Sequence, residues 1–228
     1  MKKLFYSLCV LLVCSSCINI HIGNGKTIRC KGPVVEKTME GLTGFTAIVV
    51  NGSSDLTVSQ SDVFSVVVTA NEEVFQHLDY RVENGVLIMG TLNNVPIRAE
   101  KYDIAVTLPI AESITVNGAA DVLLKGSYAS DKEMKVSVNG AGDLNFGSLT
   151  APGLTLVLNG ASDVRAKELD VQTLSVTVNG AGDAVLGGKA ASASFSVNGA
   201  GDIDALDLEC DNITTRKSGV ASIRTRSK

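Results

Sequence analysis

Apolar and polar positions alternate with a period of two through the second half of this chain, as in strands that bury one face. Five segments carry the alternation with the same punctuation: Ile114-Thr115-Val116-Asn117-Gly118-Ala119-Ala120-Asp121, Val136-Ser137-Val138-Asn139-Gly140-Ala141-Gly142-Asp143, Leu156-Val157-Leu158-Asn159-Gly160-Ala161-Ser162-Asp163, Val176-Thr177-Val178-Asn179-Gly180-Ala181-Gly182-Asp183 and Phe195-Ser196-Val197-Asn198-Gly199-Ala200-Gly201-Asp202. Apolar side chains stand one and three places before each asparagine. They recur one and three places after each aspartate, as at Leu144 and Phe146, or Ile203 and Ala205. The asparagines are spaced by 22, 20, 20 and 19 residues. An early copy runs from Ile48 to Asp55, and a degenerate one surrounds Ser218 to Ile223.

A hairpin meander would also alternate, but it does not require the same corner at every unit. Coils stacked about 4.8 Å apart place like on like. The pattern therefore predicts an all-β chain: a right-handed parallel β-helix (β-solenoid) with coils of about 20 residues over residues 112–228. The eighth position after each aspartate (Ala129, Ala151, Val171, Ala191 and Cys210) is small and reads as inward, which makes Cys210 a buried free thiol. Phe146 and Phe195 are read as inward too.

Residues 36–111 are less regular and are expected to continue the same core as irregular coils or a small antiparallel cap. Strands are expected over residues 45–58, 63–70 and 102–108, with a short helical turn from Glu72 to Asp79. Asn84-Gly85 marks a hairpin between Tyr80 and Met89. Asn71 follows Asn51 by twenty residues, as one further coil would place it.

The stretch from Gly44 to Val58, the strand Val66 to Asn71, the segment Asn84 to Ile88 and the repeated Val-Asn-Gly-Ala-Gly-Asp together resemble the auto-transporter adhesin head (GIN) domain family, over roughly residues 36–228. Members are common among lipoproteins of Bacteroidetes. The resemblance implies a β-helical domain and an extracytoplasmic location, and it brings no catalytic residue set.

The first residues read as an export signal. Lys2 and Lys3 precede an apolar run from Leu4 to Val13, and Cys14-Ser15-Ser16-Cys17 follows. The run is too short to span a bilayer. Small residues before Cys17 resemble a lipobox with Cys14 in the place usually held by leucine. Residues 1–16 are thus expected to be a lipoprotein signal peptide, Cys17 the lipid-attachment residue, and residues 17–35 a tether. This places the domain in the bacterial envelope on the outer membrane, facing either the periplasm or the outside.

Composition narrows the function classes. The chain has 228 residues with 22 glycines, no tryptophan, two histidines and a net charge of −4. So few aromatic rings suit a thin core of aliphatic side chains, and the acidic balance argues against a nucleic-acid partner. His21 and His77 lie outside the repeats, and no cysteine or histidine pair has zinc spacing. Cys30 and Cys210 could bridge only if the N-terminal strand ran along the coils.

Two rows carry the candidate chemistry. Asn117, Asn139, Asn159, Asn179 and Asn198 suit a tight corner before glycine, and stacked amides can bond from coil to coil. Asp121, Asp143, Asp163, Asp183 and Asp202 would repel by roughly 1–3.5 kcal/mol per adjacent pair. Backbone N–H groups of each carboxylate's own glycine-rich turn are the expected compensation. A bridging Ca2+ ion or cationic partner is the alternative, and would make the row a binding stripe. The reading that results is a non-enzymatic envelope lipoprotein presenting a β-helical surface to a glycan or protein ligand. The alternatives are a polysaccharide-processing enzyme using an acidic face, and an envelope structural accessory protein.

Overall fold

The computed structural model describes residues 27–226, in which nearly every element is a strand. In chain order these are β1 (Ile28–Arg29), β2 (Val34–Thr38), β3 (Ala47–Gly52), β4 (Asp55–Gln60), β5 (Ser65–Asn71), β6 (Leu78–Glu83), β7 (Val86–Thr91), β8 (Ile97–Arg98), β9 (Tyr102–Leu108), β10 (Ser113–Ala119), β11 (Val122–Ala129), β12 (Met134–Ala141), β13 (Leu144–Ala161), β14 (Val164–Ala181) and β15 (Ala184–Thr225). A 3₁₀ turn, Glu72–His77, precedes β6. Thirteen strands form one sheet in the order β2-β5-β9-β4-β11-β13-β12-β10-β3-β7-β6, with β14 and β15 continuing beyond β13. The sheet curls back on itself because β13 turns a corner, its first arm pairing with β11 and its second with β12.

From β10 onward the pairing is parallel and in register, coil on coil. Asn117 stands opposite Asn139, Asn139 opposite Asn159, Asn159 opposite Asn179, and Asn179 opposite Asn198. The inward positions predicted by the alternation are buried: Val116, Val138, Leu158, Val178 and Val197 on one side of the corner, and Val122, Leu144, Val164, Ala184 and Ile203 on the other. One core cluster runs without a break from Phe45 to Leu208.

The chain as a whole is not the parallel β-helix expected, because residues 36–111 bring in antiparallel pairing of the kind expected of a cap. The sheet is mixed: β2 with β5, β5 with β9, and β6 with β7 are antiparallel. The hairpin at Asn84-Gly85 is present, and its two positive φ angles (51° and 77°) match the right-handed twist of the flanking strands. Asn71 does not begin another coil. It is buried at the end of an antiparallel strand, where its Nδ2 donates to Gly32 O and its Oδ1 accepts the N–H groups of Glu100 and Lys101.

Spatial order also departs from chain order. β3 pairs with β7 on one side and β10 on the other, while β4 lies between β9 and β11. The coil made by β3 and β4 is therefore sandwiched between a later coil beneath it and a still later one above. Where the chain leaves this coil, the side chain of Gln60 replaces the missing peptide. Its Nε2 donates to Pro109 O and Ala129 O at 2.8 and 2.7 Å, and its Oε1 accepts Ala129 N–H at 2.9 Å.

Two inward assignments fail in detail. Phe195 is buried, but Phe146 is only half-buried, packed against the edge of the core. In the eighth-position row, Ala151 and Val171 are buried whereas Ala129 and Ala191 are exposed. A register shift between Ala166 and Leu169 aligns Val171 with Ala190 instead of Ala191, because that coil is one residue shorter. Cys210 is accordingly half-exposed rather than buried, and both Cys210 and Cys30 are free thiols. The thiol of Cys30 is buried, and its pKa is raised by that burial and by nearby Glu73. The acylation site expected at Cys17, and His21, lie outside the described residues.

Candidate binding surface

The repeated corner builds two parallel ladders on the outside of the stack. In the first, each asparagine Nδ2 donates to the Oδ1 one coil below: Asn198 to Asn179, Asn179 to Asn159, Asn159 to Asn139, Asn139 to Asn117, and Asn117 to Asn51. All five bonds are 2.8–2.9 Å long and run in one direction. Neighbours polarise one another in such a chain, so each amide strengthens the next. Asn51 was visible as an early copy of the motif. That it stacks directly under Asn117, 66 residues later, follows only from the topology.

The glycine after each asparagine explains why the corner repeats so strictly. Gly118, Gly140, Gly160, Gly180 and Gly199 all have φ between 142° and 151°. A Cβ on any of them would overlap the carbonyl oxygen of the glycine one coil below. Conformation and close approach demand glycine together.

The aspartate row is stabilised by the neighbouring coil and not by each residue's own turn. Asp121 accepts the N–H of Asp143, Asp163 that of Asp183, Asp183 that of Asp202, and Asp202 that of Ser222, at 2.8–2.9 Å. Each such bond pairs a carboxylate with a backbone donor, which offsets the repulsion along the row. Asp143 makes no equivalent bond among the described residues. All five aspartates are exposed, and none of them is ion-paired to a lysine, arginine or histidine among the described residues. No group of three or more His, Cys, Asp or Glu side chains among those residues is arranged to hold a metal ion.

Clefts lie at both ends of the stack. The ten residues between β7 and β9 lift away from the corner position of their coil, opening a cleft of about 340 Å³ lined by Asn51, Asn94, Pro96, Tyr102 and Asn117. A shallower cleft of about 580 Å³ lies against Asp55, Arg98, Glu100, Lys101 and Asp103. Within it Lys101 Nζ pairs with Asp103 Oδ2 at 2.5 Å, which raises the lysine's pKa. Beneath, the hydroxyls of Tyr80 and Tyr102 bond at 2.8 Å. Burial raises the pKa of both phenols, that of Tyr80 well above the ordinary value. These clefts have no repeating signature and were not anticipated from the sequence.

A nearly all-β chain whose mixed sheet curls on itself, with hydrogen-bonded asparagine and aspartate ladders on its outside, defines the fold class. Residues 44–228 match the family described as "Putative auto-transporter adhesin, head GIN domain", and the chain belongs to that family. Among solved structures it is similar to a "putative lipid binding protein" from Parabacteroides distasonis ATCC 8503, with 21% identity and a TM-score of 0.79 over 88% of this chain and 99% of that one. A "putative adhesin" from the same organism aligns with 19% identity and a TM-score of 0.78 over 88% of this chain and 84% of the other. A "putative adhesin" from Bacteroides fragilis NCTC 9343 gives 18% and 0.70 over 87% and 99%. At such identities the likeness shows the fold. No curated protein matches the chain. Among the described residues no helix is long and apolar enough to cross a membrane.

Proposed function

We propose that this chain is a non-enzymatic lipoprotein of the bacterial envelope, whose stacked coils form a right-handed β-helix that presents a binding or adhesion surface. The observation that carries this reading is the pair of ladders. Asparagine amides are aligned over six coils and aspartate carboxylates over five on the exposed side, with most of their hydrogen bonds made to each other or to the adjacent backbone. Such a face is stiff and pre-organised, so a partner that spans several coils meets it with little ordering cost. The adhesin description of the family and the descriptions of its structural relatives as adhesin and lipid-binding proteins support the same reading. Lipid attachment at Cys17 would hold the domain at the membrane, and a glycan or a protein is the ligand class proposed. The Asp row serves this face as a hydrogen-bonded spine, with Ca2+ bridging as the variant of the idea that calorimetry with Ca2+ and chelator would detect.

The test is binding of the full chain to arrays of glycans and extracellular-matrix proteins, with Asp163→Asn and Asp183→Asn variants alongside. Retention lost in those variants is the expected result; an array without a single retained ligand would sink the proposal. Palmitate incorporation lost in Cys17→Ser checks the anchor separately. One observation favours the polysaccharide-processing alternative, namely the cleft that combines Asp55, Glu100 and Asp103 with Arg98 and Lys101. That alternative requires unsaturated uronate products from acidic polysaccharides, abolished by Lys101→Ala.

A further inference from the structure

At the base of the molecule β1 and β8 form a separate two-residue parallel ladder, with Ile28 opposite Ile97 and Arg29 opposite Arg98. In a parallel pair, residues in register point to the same side about 4.8 Å apart. The two isoleucines turn inward against the small cluster around Cys30, Val68, Ala70 and Val74, so the two arginines turn outward together. Like charges directly opposite one another destabilise a ladder. Among the described residues neither guanidinium is ion-paired, although four other ion pairs form on this surface.

The arrangement is held firmly. Buried Asn71 ties the β1 side to the β8 side by accepting from Glu100 and Lys101 N–H and donating to Gly32 O. Ile28 N–H and Cys30 N–H donate to Pro96 O and Arg98 O at 2.9 Å. Lys31 N–H bonds Glu73 Oε2 at 2.7 Å, so that carboxylate is engaged with the backbone. The result is an open cleft of about 390 Å³ lined by Arg29, Lys31, Asn71 and Arg98, with Glu100 as its one lining carboxylate.

We infer that this cleft is a binding site for a phosphate group, carried either by a lipid headgroup or by a free phosphate. Two arginines opposite one another in the ladder can direct their guanidinium groups to the oxygens of one phosphate, and its charge removes the repulsion between them. The site does not depend on acylation. If Cys17 is acylated, however, only twelve residues separate the anchor from Arg29, which keeps the site within about 40 Å of the bilayer.

The full chain carrying Cys17→Ser, which cannot be acylated, tests the site without help from an anchor. Two probes are used: inorganic phosphate by calorimetry, and sedimentation with vesicles of phosphatidylglycerol and phosphatidylcholine against phosphatidylcholine alone. Either probe should bind, and Arg29→Ala or Arg98→Ala should weaken binding about ten-fold or more, as expected for one charge-assisted contact. Arg165→Ala on a distant coil should change nothing. Retention by the anionic vesicles assigns a lipid headgroup, and calorimetric binding without retention assigns a free phosphate. Melting of the two alanine variants should be unchanged or raised, since each removes a like-charge neighbour, whereas a merely structural role would lower it. Absence of binding by both probes, or binding indifferent to Arg29 and Arg98, overturns the inference.

Discussion

A single glycine row explains why one side-chain pattern persists through six coils. At Gly160 two separate constraints coincide, a φ of 149° and a carbonyl directly beneath the missing Cβ. Gly52 opens the same row at the bottom and bears only the first, since nothing stands within 4 Å of its absent Cβ. Gly52→Ala should therefore cost about 1 kcal/mol in backbone strain. Gly160→Ala should cost more than about 3 kcal/mol, because the coils must part to admit the methyl group. Urea denaturation of both variants separates the two costs, and equal losses would contradict the stacking argument. The asparagine and aspartate rows follow from this spacing, since the glycine fixes how closely one corner sits on the next.

At the scale of elements the regular coils were legible, whereas at the base the strands and the Asn84-Gly85 hairpin were legible but the way they pair was not. Strand positions from β10 onward follow from alternation and identical corners, because each coil meets a copy of itself. The base has no such redundancy. Asn71 resembles a ladder residue in spacing yet clamps two loops, and Gln60 completes a coil with its side chain, a role without any local pattern. Arg29 and Arg98 are 69 residues apart and meet only through the fold. The misassigned Cys210 row has a simpler cause: one coil is a residue short, and a one-residue slip exchanges inside for outside.

The same base gives a pH prediction. Tyr80 and Tyr102 are half-buried with raised pKa values, so they remain neutral in the folded state where an exposed phenol would ionise. Their contribution is complete below about pH 10, the ordinary tyrosine value, and is lost as pH rises through the higher folded values. The urea midpoint should fall as pH rises above about 10, and Tyr80→Phe should flatten that fall while lowering stability at neutral pH by about 1 kcal/mol of lost hydrogen bonding. A midpoint constant across this rise would count against the tyrosine pair.

For the molecule as a whole, the two ends decide whether it stays single. A stack of coils terminates in unpaired strand edges, which invite another copy. At the base, edge strand β6 carries Arg81 braced between Asp79 at 2.6 Å and Glu83 at 2.7 Å. At the other end the last coil exposes Arg216, Lys217 and Arg226, and Arg224 is pinned to Asp204 at 2.9 Å. Val220 is 85% exposed there. Replacing Arg216, Lys217 and Arg226 with serine should produce end-to-end oligomers by sedimentation velocity, and a variant that stays monomeric would show that charge is not the barrier.

The sandwiched position of β3 and β4 has a bearing on how the chain acquires its structure as it is made. Residues 47–60 are synthesised early, but the strands on either side of them arrive only with residues 86–108 and 113–129. No coil can be completed by adding to a finished one until residue 129 has emerged, so the first closure is slow and non-local. Every later coil needs only the twenty residues behind it. Assembly thus divides into one demanding initiation followed by rapid growth from a template, and sequence changes between residues 45 and 129 should govern its rate.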